Sequence, residues 1–207
     1  MPIFTKADER ILFIHIPKAA GTTIEKLFVE RGYAMDYRRG GVYGPLNEFD
    51  RQNGCSPQHL HAALLEKHLG GERFDRIFCI VRNPIDRFIS EYRFRRQAGH
   101  KLAGGDINAF WESARRAYDR NPMYLDNHLR PQVDFLWRES EVFRLEDGMN
   151  SILRTLGLAS APEPTSRCVH AMKSDEQIHA VPAERTLAEL TDFYRRDFEV
   201  LGYARGL

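Results

Sequence analysis

Two short segments carry the residue types that bind phosphate-like anions. The first is the loop Pro17-Lys18-Ala19-Ala20-Gly21, which is followed by Thr22 and Thr23 at the start of a helical pattern. Backbone N–H groups at a helix N-terminus attract anions, and the helix dipole adds to this attraction. Gly21 lets the chain turn closely around a phosphate, the threonine hydroxyls add donors, and Lys18 neutralises charge on a transferred group. The competing interpretation is an ordinary strand–helix connection with a surface lysine.

The second segment runs from Arg82 to Tyr92. Arg82 directly follows an apolar run, and Ser90 lies two turns into the next helical pattern. Together they could hold a phosphate by charge-assisted hydrogen bonds. The alternative is that Arg87 and Glu91 form an exposed i,i+4 pair and that Arg82 simply caps the sheet. Two anion sites on successive strands suit a ligand with two separated phosphates, such as an adenosine 3′,5′-bisphosphate.

Buried strands and amphipathic helices are predicted to position these two segments. The apolar runs 11–16 and 76–81 are typical of strands in a parallel sheet. Alternation of strands and helices predicts an α/β fold of three layers, with a central, mostly parallel sheet flanked by helices. Such open sheets bind ligands at the carboxyl ends of their strands. Further helices are predicted at 22–31, at 57–69, from 84 through at least 92, and at 106–118, 122–137, 147–156 and 182–198, with a strand at 141–145 and a long loop at 32–56.

The bulk composition narrows the classes of function. The 207 residues suit one domain, and the net charge of +1 gives no field that would attract nucleic acid or anionic lipid. No segment reaches the ~18 consecutive apolar residues of a membrane span. Charges occupy the N-terminal positions where a signal peptide has its apolar core. These features predict a soluble, cytoplasmic protein, and three widely spaced cysteines indicate neither a disulfide framework nor a zinc site.

Both anion-binding segments resemble those of a known family. FIHIPKAAGTTIEKLF is similar to the 5′-phosphosulfate loop of the sulfotransferases related to heparan sulfate and uronyl 2-O-sulfotransferases. IFCIVRNPIDRFISEYRF is similar to the 3′-phosphate motif of that family, and the order and spacing of the two motifs agree. The segments SPQHLHAALL, NHLRPQVDFL, VFRLED and YRRDFEVLGY add weaker similarity, so the resemblance spans nearly the whole chain.

The resemblance implies a P-loop-like nucleotide-binding fold and 3′-phosphoadenosine 5′-phosphosulfate as the donor. The loop from Pro17 to Thr23 would hold the 5′-phosphosulfate, with Lys18 near the bridging oxygen. Arg82 and Ser90 would hold the 3′-phosphate. Lys173, in an irregular segment late in the chain, could also reach the nucleotide.

The resemblance also implies a histidine general base between the two motifs. His59 matches the motif best. His61, two residues further on, would point about 200° away on a helix, so both cannot face one substrate. His61, His128 and Arg130 are candidate acceptor-binding residues, whereas His15, on the opposite face of its strand, is predicted to be a hydrogen-bonded core residue. The implied reaction is metal-free transfer of a sulfuryl group to a hydroxyl of a carbohydrate or a small molecule.

Two other classes of function fit part of the pattern. A small-molecule kinase would have a similar sheet and anion loop, although the pattern G-x-x-x-x-G-K-[ST] is absent. A non-catalytic protein would keep the nucleotide site without the chemistry. Magnesium-dependent consumption of ATP would identify the first, and nucleotide binding without transfer would identify the second. The identity of the acceptor and the oligomeric state are not encoded in any motif.

Overall fold

The computed structural model describes residues 1–36, 48–158 and 178–205. These residues form the strands β1 (Ile3–Lys6), β2 (Glu9–Ile14), β3 (Ala34–Asp36), β4 (Arg76–Val81) and β5 (Glu141–Arg144). The helices are α1 (Gly21–Glu30), α2 (Glu48–Asn53), α3 (Ala62–Leu69), α4 (Pro84–Gln97), α5 (Ile107–Arg120), α6 (Met149–Thr155), α7 (Glu184–Phe193) and α8 (Arg195–Leu201). Short 3₁₀ turns cover Pro57–His59, Lys101–Gly104, Gln132–Phe135 and Leu145–Asp147.

The strands form one open sheet in the order β3-β1-β2-β4-β5. β2 pairs in parallel with β4, and β4 pairs in parallel with β5. β1 pairs antiparallel with both β2 and β3, so the sheet is mixed and the prediction of a mostly parallel sheet is wrong. The short β1, with the sequence IFTK, has too few alternating residues for a clear strand pattern. A tight turn at Ala7, which has a φ of +50°, folds it back onto β2.

The parallel pair β2–β4 determines where the two candidate anion-binding segments lie. Ile14 is in register with Cys79 near the ends of these strands. The loop that follows β2 and the residue Arg82 that follows β4 therefore leave the sheet at the same edge. Open α/β sheets bind their ligands at this edge. The last four residues of each strand are buried, which fixes the points from which both segments emerge.

Two clusters of buried apolar side chains support this edge. The larger cluster packs the sheet against α1, α3 and α6, and the ring of Phe13 stacks on that of Phe78 within it. The second cluster joins α4, α5 and α7, where Phe88 contacts the rings of Phe110 and Trp111. Burying each such ring contributes about 1.5–3 kcal/mol. The α/β class with flanking helices is thus confirmed.

The segment 57–69 is not the single helix that its apolar spacing predicts. After the turn Pro57–His59, Leu60 is extended, with φ −70° and ψ 129°. His61 then caps the N-terminus of α3. The carbonyl of His59 accepts a hydrogen bond of 2.8 Å from the side-chain amide of Asn127, a bond that replaces the one a continuous helix would make.

The segment 122–137 is also not a helix. Leu125, Asp126 and Asn127 have φ values of +57°, +59° and +63°, which belong to the left-handed region. Pro131 lacks the N–H that a continuing helix would need. Turns therefore replace the predicted helix, and the apolar residues of this stretch are buried without helical geometry.

Other predicted elements are confirmed with small changes of boundary. β4 has the predicted limits, and α4 begins at Pro84 after the N-cap Asn83, whose side chain accepts hydrogen bonds from two backbone N–H groups. The described parts of the predicted loop 32–56 contain β3 and α2. The predicted last helix is two helices, α7 and α8, that meet at Tyr194. No helix of the described ranges is long and apolar enough to cross a membrane.

Candidate functional site

The loop between β2 and α1 has a strained backbone. Lys18 and Ala20 both have a φ of +66°, which non-glycine residues rarely adopt, and each costs about 1–3 kcal/mol. The N–H groups of Ala20, Gly21 and Thr22 make no hydrogen bond with any described residue. The side chain of Thr23 is buried beneath them. The loop therefore offers several free backbone donors at the start of α1, where an anion is favoured.

Position 21 requires glycine because the ring of His15 leaves no room for a side chain, and not because of a positive φ. A Cβ at Gly21 would lie 1.9 Å from Nε2 of His15. His15 is 5 % exposed, and its Nδ1 shares a hydrogen bond of 2.8 Å with Oε1 of Glu25. His15 is therefore the hydrogen-bonded core residue that the strand pattern predicts, and it supports the anion-binding loop from below.

Gly21→Ala is expected to lower the free energy of unfolding by about 1–3 kcal/mol, because His15 must leave its position and its bond to Glu25. Urea denaturation measures this change. Gly71→Ala is the matched control, since a Cβ there meets no atom within 4 Å. Equal stability of the two variants would contradict this role of Gly21.

Lys18 lies above the ring of Phe94, with its Nζ 4.0 Å from the ring centre. Burial lowers the pKa of Lys18, and the charges of Arg95 and Arg82 act in the same direction while Glu91 opposes them. The ammonium group is thus partly desolvated, which strengthens its interaction with an incoming anion.

Arg82 and Ser90 lie on the β4–α4 side of the same site. The side chain of Gln132 fixes the backbone of Arg82, because it accepts from the N–H at 2.9 Å and donates to the carbonyl at 2.7 Å. The guanidinium of Arg82 makes no hydrogen bond or ion pair within the described ranges, and neither does the hydroxyl of Ser90. The charge of Arg82 acts on Lys18, which places the two cations in one electrostatic neighbourhood.

The alternative prediction of an exposed Arg87–Glu91 pair is wrong. Arg87 is 1 % exposed and donates to the carbonyls of His128 and Arg130 at 3.0 Å and 2.7 Å. Its guanidinium also lies 5.3 Å from the ring centre of Tyr194. Arg87 therefore holds the segment 128–130 in place and does not reach solvent.

His59 is paired with a carboxylate that sequence patterns do not reveal. Its Nδ1 lies 2.8 Å from Oδ2 of Asp126, and Asp126 also accepts from the N–H and the hydroxyl of Ser56. Burial acts to raise the pKa of Asp126, but the charge and hydrogen bond of His59 outweigh it and hold this pKa well below its usual range. An ionised carboxylate on Nδ1 leaves Nε2 of a neutral imidazole as a free lone pair. This is the arrangement that a general base needs.

The left-handed turn 125–127 sets this pairing. It directs Asp126 to the ring of His59 and Asn127 to the carbonyl of His59. Three consecutive non-glycine residues with positive φ store strain of about 1–3 kcal/mol each. Two adjacent residues of one short turn therefore hold the same histidine.

His128 forms a second histidine–carboxylate pair, with Glu91. Its Nδ1 lies 2.7 Å from Oε2 of Glu91, whose other oxygen accepts from Nε of Arg95 at 2.6 Å. Burial tends to raise the pKa of Glu91, but His128 and Arg95 hold it well below its usual range. Burial lowers the pKa of His128 to about 4. The rings of His128 and His59 meet edge to face, with their centres 4.9 Å apart.

His61 and Arg130 lie near each other but outside these pairs. Burial lowers the pKa of His61, and the charge of Arg130 adds to this effect. Arg130 donates to the side chain of Asn127 at 2.9 Å and lies 3.4 Å from Asp134. Arg130 therefore braces the left-handed turn, and His61 has no carboxylate on its ring within the described part of the chain.

The C-terminal helices hold the segment 128–133 from the other side. The hydroxyl of Tyr194 donates to the carbonyl of Leu129 at 2.9 Å. Asp197 accepts from the N–H groups of Gln132 and Val133 at 2.9 Å and 3.0 Å. The closing sequence YRRDFEVLGY thus contributes contacts that support the site without entering it.

His59, Asp126 and His128 each place a potential metal-ligand atom within 4.8 Å of the other two. The oxygens of Asp126 already accept three hydrogen bonds, and Glu91 engages one nitrogen of His128. The cluster is thus hydrogen-bonded without an ion, and we assign no metal to it. Lys173, the remaining candidate, lies outside the described residues.

The described residues form an α/β protein with an open mixed sheet flanked by helices, a strained loop after β2, an arginine after β4 and a histidine–carboxylate pair. The chain matches the family model described as the sulfotransferase family over residues 1–204, and it belongs to that family. Comparison with curated proteins and with solved structures found no significant match. Membership makes the protein a transferase that acts on an acceptor substrate.

Proposed function

We propose that the enzyme transfers a sulfuryl group from 3′-phosphoadenosine 5′-phosphosulfate to a hydroxyl of a carbohydrate or a related acceptor. The observation that carries the proposal is the position of Lys18 and Arg82. They follow two parallel neighbouring strands and leave the sheet at one edge, and Lys18 belongs to the loop that opens α1, where the N–H groups of Ala20, Gly21 and Thr22 have no partner among the described residues. A donor with phosphate groups at both ends needs two such cationic positions.

In this proposal the loop from Pro17 to Thr23 holds the 5′-phosphosulfate in a P-loop-like manner. Arg82 and Ser90 hold the 3′-phosphate, which is consistent with their lack of partners among the described residues. His128 and Arg130 lie on the acceptor side with His61. The kinship with heparan sulfate and uronyl 2-O-sulfotransferases is part of the same proposal.

The proposed reaction is an in-line displacement at sulfur. The acceptor hydroxyl forms a new S–O bond while the bond from sulfur to the bridging oxygen breaks. Nε2 of His59 takes the hydroxyl proton, and Asp126 stabilises the imidazolium that results. Lys18 and the N–H groups of the loop stabilise charge on the leaving bisphosphate, which is the role that magnesium has in phosphoryl transfer. The reaction then needs no metal.

We further propose that residues 1–207 form one domain and that the enzyme acts in the cytoplasm. Cys55 and Cys79 are buried and form no disulfide within the described residues, which is consistent with a reducing compartment.

The decisive test is calorimetric titration with adenosine 3′,5′-bisphosphate, alongside ATP with magnesium. Metal-independent binding of the bisphosphate is expected, and Arg82→Ala should weaken it by about ten- to hundredfold through loss of charged hydrogen bonds. Arg120→Ala, which changes an exposed arginine at the end of α5, is the control. Unchanged binding in Arg82→Ala would remove the 3′-phosphate assignment. Preference for ATP with magnesium would indicate a kinase, and binding without transfer to any acceptor would indicate a non-catalytic protein.

A further inference from the structure

Two imidazoles, rather than one, face the proposed reaction centre. Nδ1 of His59 is bound to Asp126 and Nδ1 of His128 is bound to Glu91, so Nε2 is the remaining nitrogen of each ring. Neither Nε2 atom has a partner in the described ranges, and neither belongs to the buried atoms that lack one. No described residue therefore occupies either Nε2 atom, and each side chain is 11 % exposed.

The ring of His128 is held as firmly as that of His59. Glu91 is itself fixed by Arg95 at 2.6 Å, and Phe94 stacks on His128 with 6.2 Å between ring centres. Burial keeps the pKa of His128 at about 4, so the ring is neutral at pH 7. With its Nδ1–H directed to Glu91, this neutral ring presents Nε2 as a hydrogen-bond acceptor.

The charges around the two rings favour a hydrogen-bond donor over a metal cation. Lys18 and Arg95 place positive charge beside Glu91. The carboxylate of Asp126 is committed to Ser56 and His59. A neutral group that donates a hydrogen bond is not repelled by this positive charge and does not need the carboxylate of Asp126. A hydroxyl is the simplest such group.

We propose that His128 binds a second hydroxyl group of the acceptor, adjacent to the hydroxyl that reacts at His59. The acceptors are then compounds with hydroxyls on neighbouring carbons, and isolated alcohols are poor substrates. This inference rests on the proposed sulfotransferase reaction with His59 as the base. The 4.9 Å between ring centres is consistent with it, because two adjacent hydroxyls can then reach both rings at once.

The test compares trans-1,2-cyclohexanediol with cyclohexanol, using protein saturated with adenosine 3′,5′-bisphosphate. Binding is followed by the NMR signals of the histidine rings. The diol is expected to bind about two- to tenfold more tightly, which corresponds to one additional neutral hydrogen bond. In His128→Ala this preference should vanish. Sulfuryl transfer should show the same preference in KM.

Two further variants separate binding from structural damage. His128→Gln keeps an N–H for Glu91 and a carbonyl oxygen for the ligand, so it should retain part of the preference. His179→Ala, at an exposed position, should retain all of it.

Equal affinity for the two alcohols, no binding of either, or a preference that survives in His128→Ala would overturn the inference. So would zinc binding that requires both His59 and His128 and displaces the diol. The bisphosphate titration in the same samples distinguishes failure of the proposed function from failure of the second hydroxyl site. Its failure would refute the proposed function, whereas bisphosphate binding without a diol preference would refute only the second hydroxyl site.

Discussion

Lys18→Ala is expected to lower turnover by about 10²–10³-fold, the usual effect of removing one group that stabilises charge in the transition state. Lys18 belongs to the loop in which the N–H groups of Ala20, Gly21 and Thr22 have no partner among the described residues, and burial has already weakened the hydration of its ammonium group. The charge on the bridging oxygen develops as the bond to sulfur breaks. The affinity for adenosine 3′,5′-bisphosphate should therefore fall much less than turnover. Turnover is measured as the release of adenosine 3′,5′-bisphosphate from the donor, with a saccharide mixture as acceptor.

Lys26→Ala is the control, because Lys26 is exposed on α1. Alanine keeps a Cβ at the position with positive φ, so the backbone strain at residue 18 does not change. Urea denaturation of both variants checks that the loop remains folded. Loss of bisphosphate affinity by the same factor as turnover would show that Lys18 only binds the donor.

His59→Ala should lower turnover by about 10²–10⁴-fold, the range for loss of a positioned general base. Asp126→Asn should also lower it, because an amide N–H facing Nδ1 favours the tautomer with the proton on Nε2. Bisphosphate binding should be unchanged in both variants. The loss of turnover is measured with the saccharide mixture. The change of tautomer is measured by the nitrogen chemical shifts of the His59 ring.

His61→Ala is the informative comparison, since the structure places a carboxylate on the ring of His59 and shows none on His61 within the described residues. Its main effect should be on KM for the acceptor. His179→Ala should behave as the unaltered enzyme. A larger loss of turnover in His61→Ala than in His59→Ala would reverse the assignment of the base.

The strand ends and the anion-binding loop could be predicted from the sequence because their signals are local. β4 is a continuous apolar run, and Asn83 with Pro84 forms a cap that any helix of this composition would use. Lys18 and Gly21 fall between a buried strand and a helical period. The structure places this loop between β2 and α1 as the pattern predicts, although the need for glycine at position 21 comes from the neighbouring ring of His15.

The carboxylates could not be predicted because they come from distant parts of the chain. Asp126 is 67 residues from His59, and Glu91 is 37 residues from His128. The polar residues of LDNHLRPQ within an apolar stretch were the available signal, but spacing alone favoured a helix over a left-handed turn.

Arg87 is a second case in which sequence spacing alone gives a wrong prediction. An arginine four residues from a glutamate predicts an exposed pair. The ring of Tyr194 and the carbonyls of His128 and Arg130 instead bury this guanidinium, and all three partners come from segments far along the chain.

The contacts of Tyr194 and Asp197 with the segment 129–133 have a consequence for synthesis on the ribosome. By residue 90, the ribosome has translated β2, the loop that follows it, β4, Arg82 and Ser90, so a nascent chain already contains the parts that would receive the donor. The segment that carries Asp126 and His128 gains its last anchors only when α8 emerges from the exit tunnel. The proposed donor half of the site can therefore form early, whereas the proposed acceptor half is completed only after α8 has been made.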